Sequence, residues 1–245
     1  MRTSERKSVL TYLRKIMRRL RRVGRRVASL ARPKQGTLVY VGLHRGGSFG
    51  QIFRRYAACY GFEPNPELFA IVQRKYGRYK NVHIINAAVA EKDGEVQLNV
   101  SSNDGASSSL GQFDDEWDGY RSGQVRMVGS MTVRSVNLLD FLRQRGVEYI
   151  DDYVSDIQGM DLTVLKTLRP MIDNRQIGAI TCEVTKDSRR NLYADLPDNS
   201  ESGFAELLQG NYELVAVGWG TLEDGRFDVI PDDWWEMDCK WRLRK

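Results

Sequence analysis

Two acids that each follow an apolar run are the residues whose types and positions best suit chemistry. Glu63 follows the run Cys59–Phe62, and Asp156 follows the run Tyr149–Ser155. A carboxylate at the end of a strand can accept the hydrogens of two ribose hydroxyls, or it can take a proton from a reacting hydroxyl. The sequence therefore predicts two tasks for these acids, the recognition of a nucleoside and general base catalysis.

A glycine-rich turn precedes Glu63 at a spacing typical of nucleotide-binding βαβ units. The segment Val41–Ser48 contains Gly42, Gly46 and Gly47, and Glu63 lies 21 positions after Gly42. Glycines let a ligand approach the backbone closely, and free N–H groups at the start of the next helix can bind an anionic group. The spacing favours ribose binding by Glu63. A tight turn without a ligand and a solvated acid before a helix are the alternatives.

Other predicted strand ends carry small or acidic residues. Asn86 and Ala87 follow the run Val82–Ile85, where they leave room for a flat adenine and offer an amide to hydrogen-bond it. Glu183 ends a further apolar run. Because the carboxyl ends of parallel strands meet at one edge of a sheet, we expect Asp156 and Glu183 to face the same pocket.

The sequence offers two candidates for a general base. Asp156 is the first, and His44 is the second because imidazole titrates near neutral pH. Asp156 and Glu183 could instead hold a divalent metal that orients and acidifies an acceptor hydroxyl. The three cysteines are far apart and show no zinc-binding spacing. We expect no metal centre.

An alternation of strands and helices must position these residues. Such alternation is typical of a parallel sheet covered by helices on both faces. Strands are predicted at residues 37–42, 59–62, 82–85, 95–100, 126–136, 149–155, 177–183, 212–217 and 240–244. Helices are predicted at residues 51–58, 67–76, 138–145, 162–168 and 204–208. The polar segment 101–123, which contains Trp117 and Tyr120, is predicted to be a long loop. It is a candidate lid over an acceptor, because aromatic faces stack on sugar rings; a solvated loop is the alternative.

The first 35 residues differ from the rest of the chain in charge. They contain 13 Lys and Arg and one acid, for a net charge of +12, whereas the remainder carries −7. Apolar residues recur three or four positions apart from Leu13 to Leu30, which predicts an amphipathic helix with an arginine-rich face. Pro33 and Gly36 mark a linker. We therefore divide the chain into a basic helix and linker at 1–35 and a domain at 36–245.

The apolar stripe of the basic helix favours an anionic membrane surface as its partner, because nucleic acid would require only the charges. A partner protein and coiled-coil pairing are alternatives. No run of about 18 apolar residues is present, and the N-terminus does not resemble a secretory signal. We expect a cytoplasmic protein, with peripheral attachment to a membrane through the helix.

Five motifs, taken in order, resemble the FkbM-type family of S-adenosylmethionine-dependent O-methyltransferases. They are the glycine turn at 41–47, the segment Glu63-Pro64-Asn65-Pro66, the segment 86–94, the serine cluster 106–110 and the acid-aliphatic-Gln-Gly segment 156–165. The resemblance covers residues 38–214. The chain departs from the family pattern at Tyr40, where an acid is usual, and at Ser155, where a lysine is usual.

The resemblance implies a Rossmann-like class I methyltransferase fold, which is an α/β fold whose sheet is mostly parallel with an antiparallel last strand. It also implies S-adenosylmethionine as cofactor and a carbohydrate or polyhydroxylated natural product as the methyl acceptor. No nucleic-acid partner is expected. An inactive relative that acts only by binding a membrane or a partner protein is the alternative.

The motifs and the strand-end residues together give the candidate site. The candidate cofactor contacts are Gly42, His44, Gly46, Glu63, Asn65, Asn86 and Ala87. The candidate acceptor contacts are Ser107, Ser108, Trp117 and Glu183.

Overall fold

Ten strands and six short helices form the described part of the chain, which in the computed structural model is residues 35–117, 119 and 122–245. The predicted basic helix therefore lies outside the described residues. The strands are Thr37–Val41 (β1), Ala58–Phe62 (β2), Val82–Ile85 (β3), Ala88–Ala90 (β4), Gly94–Ser101 (β5), Met127–Asn137 (β6), Ile150–Ser155 (β7), Ile177–Thr185 (β8), Tyr212–Gly218 (β9) and Glu236–Leu243 (β10). The helices are Phe49–Ile52 (α1), Pro66–Tyr76 (α2), Leu138–Gln144 (α3), Asp161–Thr167 (α4), Arg169–Asp173 (α5) and Glu201–Leu208 (α6).

Seven of these strands form the central sheet, in the order β3-β2-β1-β7-β8-β10-β9. Neighbours from β3 to β8 are parallel, and β10 is antiparallel to both β8 and β9. This arrangement confirms the predicted α/β fold with an antiparallel last strand. A second, three-stranded sheet has the order β4-β6-β5.

The central strands are buried on both faces, which is why they are almost continuously apolar. In β1, Val39 and Val41 belong to the core cluster that also contains residues of α3 to α6. Leu38 and Tyr40 point the other way, into the cluster formed with α1 and with Val72 of α2. Helices on both faces therefore fix β1 in the middle of the sheet, and with it the turn that follows.

The structure differs from the sequence prediction most clearly at four elements. Helix α5 was not predicted, because Pro170 suggests the end of a helix, but a proline also fits the first turn of a helix, as it does here. The first predicted helix is only α1 followed by a 3-10 turn at Phe53–Arg55, because Phe49 and Phe53 stack at 5.4 Å and the chain must enter β2 at Ala58. β4 was not predicted, since three small apolar residues carry no pattern. The last strand begins at Glu236 and not at residue 240, because its first residues include buried acids that interrupt the apolar pattern.

The turn after β1 brings the ends of β1 and β7 into contact. The N–H of Asp156 donates to the carbonyl of Val41 at 3.1 Å. Gly42 has a φ of +83°, and a Cβ at this position would overlap with the carbonyl oxygen of Asp156. Only glycine satisfies both the positive φ and the close approach. The two strand ends that carry the predicted chemistry are thus held side by side.

We expect Gly42→Ala to lower the free energy of unfolding by at least about 2 kcal/mol, because the new methyl group adds both overlap and backbone strain. Chemical denaturation followed by circular dichroism measures this change. Gly47→Ala is the matched control: it lies in the same turn, its φ is not positive, and its Cβ would have no heavy atom within 4 Å. Equal stability of the two variants would contradict the assigned role of Gly42.

Candidate active site

A cavity of about 850 Å³, measured to its open mouth, lies beyond the carboxyl ends of β1, β2 and β7. Ligand sites in α/β sheets of this kind lie at the same place, in the crevice outside the carboxyl ends of the strands. Much of the wall of this cavity is apolar, with contributions from Phe62, Ala87, Leu98, Leu110 and Ile157. We call it the first cavity. An apolar slot with few polar groups suits a flat, mostly uncharged ring system.

Glu63 is the buried acid of the first cavity, with 4% of its surface exposed. Its Oε2 accepts the N–H of His44 at 2.6 Å, and its Oε1 accepts the N–H of Asn65 at 3.0 Å. Each oxygen keeps a further lone pair. Burial raises the pKa of Glu63 to about 7, while the two N–H groups act in the opposite direction. A carboxylate fixed in this way can accept a pair of ribose hydroxyls.

Two asparagines hold the segment after β2 in place. Asn65 lines the first cavity, and its side chain caps α2 by accepting the N–H of Glu67 at 2.9 Å. The amide nitrogen of Asn86 donates to the carbonyls of Glu63 and Pro64 at 2.8 and 3.0 Å. Asn86 was predicted to contact adenine. The structure instead directs its amide nitrogen at the main chain, so its observed contacts position Glu63.

The predicted small residues fall into two groups. Gly42 and Ala87 line the first cavity, where a larger side chain would occupy ligand space. Gly46 does not line it. A Cβ at Gly46 would lie 2.6 Å from the ring of Tyr76, whose hydroxyl donates to the Gly46 carbonyl at 2.6 Å. The contacts of Gly46 therefore pack the turn against α2.

His44 lines the first cavity and has a φ of +48°. Its backbone N–H binds Glu63, and its Nε2 lies 3.0 Å from the carbonyl oxygen of Asp104. The imidazole is thus engaged with the segment that follows β5. This contact favours Asp156 over His44 as a base.

Gln158 joins the carboxyl ends of β7 and β8. Its Nε2 donates to Asp156 Oδ1 and to Glu183 Oε2, each at 2.6 Å. Its Oε1 accepts the hydroxyl of Tyr193 at 2.7 Å, and its own φ is +58°. The structure therefore brings the two predicted acids together, and it does so through one amide group. We call these three residues, Asp156, Gln158 and Glu183, the amide bridge.

The two acids of the amide bridge differ in their surroundings. Desolvation raises the pKa of Glu183 well above its usual range, and the charge of Glu236 adds to this effect. Desolvation also raises the pKa of Asp156, but hydrogen bonds from Gln158 and Glu183 and the charge of His44 oppose the rise. Desolvation therefore disfavours ionisation of both acids, and the shared hydrogen bonds of Gln158 oppose this effect most directly at Asp156.

The predicted acceptor contacts lie in several places. Ser108 lines the first cavity, whereas Ser107 receives a hydrogen bond from Asn103 Nδ2 at 3.0 Å and does not line it. Trp117 packs against Phe113 with a ring separation of 4.9 Å. Tyr120 lies outside the described residues. Of this group, Glu183 alone belongs to the amide bridge.

Sequence reasoning did not assign a role to Gln158, or to Tyr193 and Ser109, which bind it. Gln158 is part of the quoted motif and follows a predicted strand end, so its position was a usable signal. Ser109, which donates its hydroxyl to the Gln158 carbonyl at 2.6 Å, lies in the quoted serine cluster. Tyr193 gave no signal, because it is 35 residues away and its contact depends on the fold.

The described residues contain neither a metal-binding cluster nor a membrane-spanning helix. Within the described ranges, no group of three or more His, Cys, Asp or Glu side chains is arranged to hold a metal ion. In the same part of the chain, no helix has the length and apolar character needed to cross a bilayer.

The sheet order and the glycine turn define a Rossmann-like α/β domain, and the buried acid at ribose spacing marks a candidate nucleoside site. The family described as the Methyltransferase FkbM domain matches residues 41–209, which is more than half of the sequence. The chain belongs to the FkbM methyltransferase family. The expected class, an S-adenosylmethionine-dependent methyltransferase, is thereby confirmed.

One curated relative is the 2-O-methyltransferase NoeI of Sinorhizobium fredii, which is 24% identical over 152 residues. The match covers 59% of this chain and 62% of NoeI, less than two thirds of that protein. Methyltransferase FkbM from Methylobacillus flagellatus KT has a TM-score of 0.49 at 13% identity, covering 87% of this chain and 45% of that one. The N-methyltransferase NodS from Bradyrhizobium japonicum WM9, in complex with S-adenosyl-L-homocysteine, has a TM-score of 0.42 at 11% identity, covering 93% and 87%.

Glu63→Ala should weaken S-adenosylmethionine binding by about 1.5–3 kcal/mol, the cost of losing hydrogen bonds to a charged group. Because hydroxyls donate to the ionised carboxylate and the pKa of Glu63 is about 7, affinity in the wild type should rise with pH. The expected rise is about tenfold between pH 6 and pH 8. Isothermal titration calorimetry at both pH values measures both effects.

The control for this prediction is Glu67→Ala, which removes a neighbouring exposed acid on α2 that does not line the first cavity. It should bind the cofactor like the wild type and keep its pH dependence, while Glu63→Ala should lose that dependence. Wild-type affinity for the Glu63→Ala protein would remove Glu63 from the site.

Proposed function

We propose that this protein transfers a methyl group from S-adenosylmethionine to a hydroxyl oxygen of a carbohydrate or polyhydroxylated natural product. The observation that supports this proposal is the amide bridge, which holds the Asp156 carboxylate at the edge of the first cavity. From this position Asp156 could accept a proton from an acceptor that lies beside the cofactor.

The residues of the first cavity fit S-adenosylmethionine. Glu63 would accept the ribose hydroxyls, Ala87 and its apolar neighbours would contain the adenine, and Gly42 leaves room for close approach of the ligand to the backbone. When bound, the cofactor supplies a methyl group already activated by the sulfonium. The protein's remaining tasks are to align the acceptor, to exclude water and to accept a proton.

Asp156 is the proposed general base. The cofactor would supply the methyl group to the acceptor oxygen and would leave as S-adenosylhomocysteine. The hydroxyl proton passes to Asp156 and later to water. Gln158 fixes the Asp156 side chain through its Nε2, and the same NH₂ group also donates to the Glu183 carboxyl.

The name of one relative, the family resemblance and the presence of an ionisable base support an oxygen acceptor of this class. The name of NoeI specifies 2-O-methyl transfer. The family resemblance found in the sequence implies a carbohydrate or another polyhydroxylated compound. An ionisable base beside the reaction centre suits a hydroxyl, whose proton must leave in or near the transition state.

Asp156→Asn should keep cofactor affinity but lower turnover roughly 100-fold or more, because the amide can still accept the Gln158 hydrogen bond but cannot take a proton. Transfer of labelled methyl groups to a panel of glycosides measures turnover, and calorimetry measures cofactor binding. Asp173→Asn is the control, since Asp173 is an exposed acid on α5 that pairs with Arg169.

Near-normal turnover of Asp156→Asn would shift the role to His44 or show that no protein base is needed. The same assay with a chelator distinguishes the alternative in which Asp156 and Glu183 hold a metal. We expect activity to survive chelation, and its loss would favour the metal.

We further propose that residues 1–35 attach the protein to an anionic membrane surface. The support is the charge partition, +12 in this segment against −7 elsewhere, together with the apolar stripe from Leu13 to Leu30. Basic residues near an anionic surface contribute about 1 kcal/mol each, reduced by salt, and apolar burial adds a contribution that salt does not screen. This location would suit a lipid-linked acceptor.

Full-length protein should sediment with vesicles containing phosphatidylserine and should stay in solution with phosphatidylcholine vesicles. The triple variant Arg18→Glu, Arg21→Glu and Arg22→Glu should sediment much less with the anionic vesicles, because it reverses three charges on the polar face. Calorimetry should show that this variant still binds the cofactor. If the wild type ignores anionic vesicles, the segment binds a partner protein or packs on itself.

A further inference from the structure

A second cavity, of about 760 Å³, opens on the other side of Asp156. Among the described residues, Asp156 alone lines both cavities. The walls of the second cavity come from β1, β7, β8 and β10 and from the segment after β9. The carboxylate proposed as the base thus stands at the junction of two separate spaces.

Methyl transfer by direct displacement needs the incoming oxygen and the departing sulfur on opposite sides of the methyl carbon. An acceptor therefore has to approach from a space other than the one that holds the cofactor. Two cavities that meet at a single carboxylate satisfy this requirement. They also allow the base to reach a proton on the acceptor side.

The residues that line the two cavities also differ, and the difference suits a cofactor in the first cavity and an acceptor in the second. The first has the apolar walls described above. The second is rich in hydroxyl and charged groups, with Tyr40, Ser48, Thr181, Thr221 and Asp238 among its lining residues. These groups can donate to and accept from the hydroxyls of a polyhydroxylated molecule.

Two exposed tryptophans belong to the segment between β9 and β10, whose residues Gly220, Thr221 and Leu222 line the second cavity. Trp219 and Trp234 form an edge-to-face pair with ring centroids 5.0 Å apart, and they remain 53% and 40% exposed. Trp219 directly precedes Gly220, which lines the second cavity and whose N–H donates to the carboxylate of Asp238. Large apolar rings left open to water in this way are typical of interaction sites.

The register of the sheet places this pair on the acceptor side of the amide bridge. Asp238 of β10 is opposite Glu183 of β8 and opposite Gly218 of β9. Gly218 directly precedes Trp219. Neighbouring strands are about 4.8 Å apart, so the backbone at Trp219 lies on the order of 10 Å from that at Glu183. This distance is about the length of a disaccharide.

The charge of the same segment argues against an anionic membrane as the occupant. Residues 219–235 contain five acids and one base. Such a surface repels acidic lipid headgroups, whereas carboxylates beside aromatic faces suit a neutral sugar, whose hydroxyls donate to the acids while its ring contacts the indole.

We infer that the second cavity is the acceptor site, and that Trp219 and Trp234 form a sugar-binding subsite at its rim. The cavity holds the ring that receives the methyl group beside Asp156. The indole pair holds an adjoining ring or the outer face of the same ring. This inference rests on the proposed transfer to a carbohydrate hydroxyl.

The test uses full-length protein saturated with S-adenosylhomocysteine and a panel of methyl glycosides and disaccharides of common hexoses. Saturation-transfer NMR detects which sugars bind, and titration gives their dissociation constants. Thr221→Trp fills the cavity from an exposed position, so folding should be unaffected, and Trp219→Ala removes half of the indole pair. Leu214→Ala is the control, because Leu214 is a similarly exposed apolar residue on β9 that does not line the second cavity.

For the sugars that bind the wild type, both cavity variants should raise the dissociation constant about tenfold, the size expected from loss of an aromatic contact or of space. The control should not change it, and affinity for S-adenosylhomocysteine should be the same in all four proteins. Unchanged sugar affinity in both Thr221→Trp and Trp219→Ala would overturn the inference. So would the absence of any sugar binding by the wild type.

A parallel assay with labelled S-adenosylmethionine separates failure of the inference from failure of the proposed function. Methyl transfer to a glycoside that persists at the wild-type rate in Thr221→Trp would leave the function standing and place the acceptor elsewhere. No transfer to any sugar, by a protein that still binds the cofactor, would overturn both.

Discussion

The hydrogen bonds from the Gln158 side-chain amide to two carboxylates are the interaction on which the active site depends. Asp156 directly follows β7 and Glu183 lies two residues before the end of β8, so the pairing of these parallel strands brings the acids together, and two bare charges at that distance would repel strongly. One NH₂ group satisfies both acids at 2.6 Å. Tyr193 donates to the oxygen of this amide and Ser109 donates to the Gln158 main-chain carbonyl, so segments far apart in sequence converge on this one residue.

Three further acids close to the amide bridge, Asp161, Glu236 and Asp238, cost folding free energy at neutral pH. Burial raises the pKa of Asp161 and of Glu236 to about 8 and that of Asp238 to about 7. An acid whose pKa is higher in the folded than in the unfolded protein favours folding only while it is protonated. The stability contributed by these groups is therefore present below about pH 4 and is lost as pH rises through about 8. Acids retained at such a cost are typical of functional sites.

The sequence predicted those parts of the site that depend on local pattern. Glu63 was found because its spacing from the glycine turn follows from the length of one βαβ unit. The adjacency of Asp156 and Glu183 was found because parallel strands align their ends. Contacts that depend on tertiary geometry were not predicted. Tyr193 is distant in sequence from Gln158, which it contacts. The amide nitrogen of Asn86 donates to the main chain, although the position of Asn86 suggested a contact with adenine. The pairing of Trp219 with Trp234 likewise depends on the segment between β9 and β10.

The insertion of β10 between β8 and β9 explains how one sheet edge can serve two ligands. Because β10 is antiparallel, its first residues lie at the carboxyl edge, where Glu236 is opposite Thr185 and Asp238 is opposite Glu183. The segment 219–235, which precedes β10, therefore ends at the same edge of the sheet as the turns that follow β1 and β2. Residues up to Leu110, together with residues 156–160, line the first cavity, whereas β10 and the segment that precedes it contribute to the wall of the second cavity. Acceptor preference could then change through the residues between β9 and β10 without disturbing Glu63 or the glycine turn.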